Sequence, residues 1–311
     1  VSPRLVALLG ALTAVAPLSI DMYVPAFSAI AADLRCSPAA VPATLASFFA
    51  AFAVGQLAAG PIADRFGRRR PLLVGLALYA GGSLACALAP SLGALVAARA
   101  LQALGGAFAV VIPRALVRDR TEEPAVAAQV FSRLILVMGI APIVAPSVGG
   151  LLLGAVGWRS IFGVQAAIGI ALLAAVVGGI PSDGTSRQGP TALGGTVRAL
   201  VGDRPFIANA LAGAFGNAAM FAYISGSPFV LIELHHVPAG RYALYFGANA
   251  AALIVASQLN ARLARSGALV PRSAGEDELV PRSAVAGEDE LLGRLVRRSG
   301  LFVAAAGLAV L

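Results

Sequence analysis

Residues 60–73 read GPIADRFGRRRPLL, a polar stretch between two apolar runs, 41–63 and 71–89. It reads as a tight hairpin on one side of a bilayer. Gly67 supplies the positive φ of a sharp turn, and Pro71 suits the first turn of the helix that follows. Asp64 is available to an arginine or a helix N-terminus. The arginines hold the loop on the side where positive charge stays.

The same alternation of oil and charge runs outward from the hairpin. Of 311 residues, 59% are hydrophobic and 12% charged, against about 25% charged in a soluble domain. Spans are predicted near 5–31, 41–63, 71–89, 92–113, 125–153, 160–180, 206–233 and 241–262, with a ninth from about 299 still running at Leu311. Several of these runs exceed the ~18 apolar residues a spanning helix needs. The chain is expected to be an all-α polytopic membrane protein. Its first run is too long for a signal peptide, and no cleavage site precedes a soluble domain.

With the N-terminus inside, 19 arginines fall on cytoplasmic segments and three (Arg35, Arg159, Arg241) on the other side. That bias sets the orientation. It also explains the basic charge as topology, since the arginines are scattered over short loops and form no nucleic-acid face. There are no lysines. Cys36 and Cys86 suggest neither a disulfide framework nor a metal site. The adjacent His235 and His236 supply neither a metal helix nor the base of a hydrolase, so no enzyme, cofactor or metal is expected.

The chain divides at a Gly/Pro/Ser-rich linker, 181–205, which reads as loop. "DMYVPAF" (21–27) is echoed by "YISGSPF" (223–229), and "GQLAAGPIADR" (55–65) by "ASQLNAR" (256–262), at nearly one offset. A six-helix unit repeated in parallel is a known transporter plan. It gives an N-terminal bundle over 1–180 and a C-terminal one over 206–311.

These motifs carry a family resemblance. GPIADRFGRRRPLL, with Gly60, Asp64, Arg65, Gly67 and Arg68, resembles the G-x-x-x-D-R-x-G-R-R/K signature of the major facilitator superfamily. "RALQALGGA" (99–107) resembles that family's span-4 motif, and "GIAPIVAPSVGG" (139–150) its span-5 antiporter motif. "DMYVPA", "PRALVRD" (113–119), "GWRSIF" (157–162) and "FAYISGSPFV" (221–230) resemble the bicyclomycin-resistance (Bcr/CflA) branch of drug:proton antiporters. The resemblance implies two six-helix bundles and proton-coupled efflux of small amphipathic molecules. It implies a role in conformational change for the hairpin and for Gly139, Pro142, Pro146, Gly149 and Gly150. Those five recur every three to four residues, so small residues share one face that lets a neighbouring backbone approach, and the prolines bend the helix.

Asp21 is the costly residue, a carboxylate inside the first span. At 1.5 Å per residue it lies roughly 24 Å from the inner end, and Arg99 roughly 10 Å below the outer one. In a ~30 Å core the two depths nearly coincide, so contact between them is open to the chain. A charge in a span is a functional hypothesis by default. The other acids lie in loops or at span ends, Glu233 among them, and arginine does not deprotonate. Asp21 is the expected proton carrier and Arg99 its partner, with a structural Asp21–Arg99 lock as the plainer alternative. Tyr23, Gln102 and Tyr223 are the expected substrate contacts. Phe48, Phe49, Phe52 and Phe221 are aromatics at helical depth, a class that more often packs or faces lipid than lines a cavity.

The sequence departs from the family in two places. Relatives have twelve spans, so this chain is expected to be truncated to about eight and a half. The counterpart that the family places on helix 11 for Asp64 is then missing. Residues 269–292, LVPRSAGEDELVPRSAVAGEDELL, form a tandem duplication. Its LVPR-S looks like a thrombin site, but doubling without a tag fits a repeat expansion or a sequencing error. The insert, 267–292, has no apolar face and is expected to be disordered. The reading is a monomeric drug:proton antiporter of the bacterial inner (cytoplasmic) membrane, its partners a small molecule, protons and the bilayer. A sugar or metabolite facilitator, or a non-functional remnant, stands as the alternative.

Overall fold

A computed structural model describes residues 2–121, 123–180 and 201–238, together with 241, 244, 245, 247–249 and 252. Helix α1 covers Pro3–Asp21, α2 Phe27–Asp33, α3 Pro42–Phe66, α4 Arg69–Ala87, α5 Leu92–Arg120, α6 Pro124–Ala155 and α7 Trp158–Gly179. α8 covers Arg204–Pro228 and continues as a π turn, Phe229–Leu234. No strand occurs among the described residues. α1–α7 belong to one compact unit and residues 204–223 of α8 to a second. Among the described residues six segments are long and apolar enough to cross a membrane, and each overlaps one of the first six predicted spans.

Two boundaries differ from the sequence reading. α5 runs past Pro113 to Arg120. A proline costs the helix the one hydrogen bond to the residue four back, and Arg118 and Arg120 in the last turn suit the negative end of the helix dipole. The first span is not one helix but two. Pro25 has no N–H to give the Asp21 carbonyl, and the Ala26 N–H bonds Tyr23 O at 2.9 Å. The chain therefore leaves α1 at Asp21, makes a 3-10 turn over Val24–Ala26, and re-enters helix at Phe27.

The predicted hairpin forms as read. α3 ends at Gly67 with φ 79°, and Pro71 is buried in the first turn of α4. Glycines then let α3 and α4 press onto α5. A methyl group at Gly82 would stand 2.5 Å from the Gln102 amide nitrogen, and one at Gly55 2.7 Å from Ala107 Cβ. Such close backbones are how helices associate where lipid removes the hydrophobic drive. Leu9, Leu12, Leu72, Leu76, Ile112, Leu116 and Val176 fill the core between α1, α4, α5 and α7.

α8 covers the seventh predicted span as far as Pro228. The described residues of the eighth are helical. The linker residues 181–200, the insert 267–292 and the ninth span lie outside the described residues.

Candidate functional site

The break in α1 sets Asp21 at the last residue of the helix, 3% exposed. Its Oδ1 has no hydrogen-bond partner. Among the described residues no ion pair joins it to Arg99, so the contact left open by the matching depths is not made.

Arg99 is fully buried on α5. Its guanidinium carbon lies 4.2 Å from the ring centroid of Phe48, 4.3 Å from that of Tyr23 and 5.7 Å from that of Phe162. Nη1 donates to Gln102 Oε1, while Nε and Nη2 find no acceptor. Rings attract a cation through their quadrupole, about 2 kcal/mol when water is excluded. Three rings from α3, α7 and the α1–α2 turn thus stand where a carboxylate was expected.

Gln102 extends the network. Its Nε2 donates to Ser83 Oγ and to Gln165 Oε1, both at 2.7 Å, and Gln165 Nε2 donates to Leu18 O at 3.2 Å. Tyr23 is fully buried, its hydroxyl 3.2 Å from Thr44 Oγ1. Tyr23 and Gln102, two of the three residues expected to meet substrate, are therefore engaged inside the bundle in this conformation. Phe48 likewise packs on Arg99, the packing role more common for such aromatics. Tyr223 lies on α8, half-buried.

Asp64, Arg65, Gly67 and Arg68 come together at one end of the bundle. Arg68 holds Asp64 at 2.5 Å and Asp119, in the last turn of α5, at 2.8 Å. Burial alone would weaken the Arg68 charge, but Asp119 and Asp64 outweigh it and hold the guanidinium above its ordinary range. Asp64 thus meets an arginine four residues away, the kind of partner the hairpin reading allowed it. Arg69 Nη2 donates to Val177 O of α7 at 2.6 Å, and Arg65 lies over the Phe66 ring. Gly60, half-buried on α3, has open space where a side chain would point.

At the opposite end, Asp33 of α2 accepts from Trp158 Nε1 at 3.2 Å and pairs with Arg159. Arg159 also donates to Ala89 O at 3.2 Å. The sequence reading quoted GWRSIF without giving it a task. A tryptophan–arginine pair opening a helix, with an aspartate closing another, was the available signal. The clamp ties α2, α7 and the α4–α5 turn together.

α6 passes through Pro142 and Pro146 as one helix. Gly139, Pro142 and Gly150 are half-buried, and Pro146 and Gly149 buried. Gly149 lies against the backbone of Met22, the residue after Asp21.

Comparison with known proteins bears on the family and the fold. The chain is 38% identical over 256 residues to the MFS-type transporter YdgK of Bacillus subtilis, an alignment covering 80% of this chain and 63% of that one. It is 34% identical over 259 residues to a bicyclomycin resistance protein homolog of Haemophilus influenzae, covering 82% and 65%. It is 30% identical over 237 residues to the multidrug resistance protein MdtL of Escherichia coli, covering 75% and 59%. The chain spans less than two thirds of the length of these relatives. Among solved structures, a bacterial homologue of the human lysosomal transporter Spinster matches with a TM-score of 0.70 at 19% identity, over 100% of this chain and 74% of that one. That likeness is one of fold. The profile of the Major Facilitator Superfamily matches residues 9–283, and the chain belongs to that family.

Proposed function

We propose that this protein exports drugs or other small amphipathic molecules in exchange for protons by alternating access. It works as a monomer in the bacterial cytoplasmic membrane, with its N-terminus inside. Two bundles, 1–180 and 206–311, joined by the linker 181–205, are the moving bodies. Relatives named for bicyclomycin and multidrug resistance support the substrate class. Membership of this transporter family supports carriage over catalysis.

The observation that carries the reading is the state of Asp21. Near the bundle ends Asp33 pairs with Arg159, and Asp64 and Asp119 with Arg68, while Glu123 and Asp203 are exposed. Asp21 is buried with an unpartnered oxygen. A carboxyl in that setting costs least when neutral and must be solvated or paired when charged. Movement that opens the site to water, or brings Arg99 to it, lets the proton go; closure takes one up. Substrate enters where the network of Arg99 and Gln102 opens, with Tyr23 as a contact in that open state.

The test is the full chain in proteoliposomes, with bicyclomycin and with ethidium as an amphipathic cation. Proton movement driven by either compound is expected from the wild type and lost in Asp21→Asn. A wild-type rate in D21N overturns the carrier assignment. Failure of the wild type to move protons with both compounds overturns the exchange itself.

A further inference from the structure

The break in α1 leaves two carbonyls without their helical donors. Asp21 O would be served by residue 25, a proline with no N–H. Met22 O would be served by Ala26, whose N–H goes to Tyr23 O instead; three positions on it again meets Pro25. An orphaned carbonyl in a membrane helix needs a neighbour that satisfies or shields it. Here the neighbour is α6. The α-carbon of Gly149 faces Met22 O so closely that a methyl group there would overlap the oxygen. The same methyl would stand 2.7 Å from the Met22 carbonyl carbon and 3.0 Å from its Cα. These are backbone atoms, which cannot swing aside as a side chain would. Only glycine lets α6 close over the break, and Cα–H groups commonly sit against carbonyl oxygens where helices approach this closely.

Asp21 is the residue bonded to Met22. We infer that Gly149 is a positioning residue for the Asp21 carboxyl: α6 seals the break through the Gly149–Met22 backbone contact and so keeps water from the acid. Any side chain at 149 must lift α6 or displace Met22, and either movement exposes the site. This inference rests on the reading of Asp21 as proton carrier, but its test does not use transport. Small residues along α6 are not equivalent in this respect. Gly154, farther along the helix, has open space where its side chain would point, and it provides the control.

Dicyclohexylcarbodiimide reacts with protonated carboxyls in apolar surroundings, and mass spectrometry locates the adduct. The full chain in detergent at pH 7 is treated with the reagent, and the Asp21 peptide is quantified, with D21N as the blank. In Gly149→Ala the labelling rate is expected to fall about tenfold or more, because a hydrated aspartate, whose ordinary pKa is about 3.9, is protonated on only about one molecule in a thousand at pH 7. In Gly154→Ala it should match the wild type. Equal labelling in G149A and wild type overturns the inference. Should G149A not fold, Pro25→Ala decides the matter. It restores an N–H at position 25, lets α1 run through Met22 and withdraws that carbonyl from Gly149. P25A is expected to lower labelling in the same way, and a wild-type rate overturns the inference. The D21N transport assay separately decides whether the positioned acid carries the proton. An unlabelled wild type counts against both.

Discussion

The ends of the first bundle and its middle treat charge in opposite ways. At one end Arg68 sits between Asp64 and Asp119; at the other Asp33 holds Arg159. In the middle, Asp21 keeps a bare oxygen, and Arg99 has rings and an amide but no carboxylate. Pairing is cheapest where water is near, so the ends show where charge serves structure. In the middle an unpaired charge is costly, and such residues mark ion and substrate paths. The contrast teaches that the ends hold the helices in place while the middle is left able to change.

The sharpest way to break this comparison is Arg99→Met. The stem volume is kept and the charge removed. Two donors without acceptors cost about 1–3 kcal/mol each, and desolvation several more per ion. Against this stand about 2 kcal/mol from each of the two close rings and the bond to Gln102. R99M should therefore unfold at a midpoint no lower than wild type, measured in detergent. Its drug-driven proton movement should fall by about tenfold or more, at least ~1.4 kcal/mol of barrier. A much lowered midpoint would mean that Arg99 holds the bundle together, and the contrast would collapse.

Arg68→Ala tests the paired end and should act in reverse. Removing one member of a buried pair costs about 3–5 kcal/mol. The exposure of Asp64 and Asp119, 26% and 35% of their side chains, brings this nearer to ~2 kcal/mol. R68A should lower the unfolding midpoint clearly. Arg68→Lys should recover only part of the loss, because one ammonium cannot reproduce two directed guanidinium bonds. An R68A midpoint at the wild-type value would place this end among the charges that do no structural work.

Much of this contrast was legible in the sequence, and the rest fails for physical reasons. Asp21 and Arg99 stood out because charge within an oily run is rare. The hairpin could be read because Gly67, Asp64 and the arginines act within a few residues of one another. The α1 break was also local: a proline four residues after Asp21 removes the N–H its carbonyl needs. Depth alone could not show which way two helices face, so Arg99 was matched with Asp21 and not with Tyr23, Phe48 and Phe162. Asp119 and Gln165 are far in sequence from the groups they bond, and no spacing rule reaches them. Asp64 was read as available to an arginine, and the one that holds it, Arg68, is one helical turn away.

The smallest effect is expected at the other end of the bundle, from Asp33→Asn. The amide oxygen can still accept from Trp158 Nε1, so only the charge attraction to Arg159 is lost. Both side chains of that pair are about half exposed, and exposed pairs are largely screened by salt, whose Debye length shrinks to about 3 Å at 1 M. D33N should shift the unfolding midpoint less than R68A does, and the shift should vanish as salt rises toward that concentration. A loss that persists in high salt would mean that the charge fixes the angle of α2, and with it the turn that carries Tyr23 beneath Arg99. The two ends would then differ in kind: one would bind the helix ends together, and the other would set the geometry of the middle.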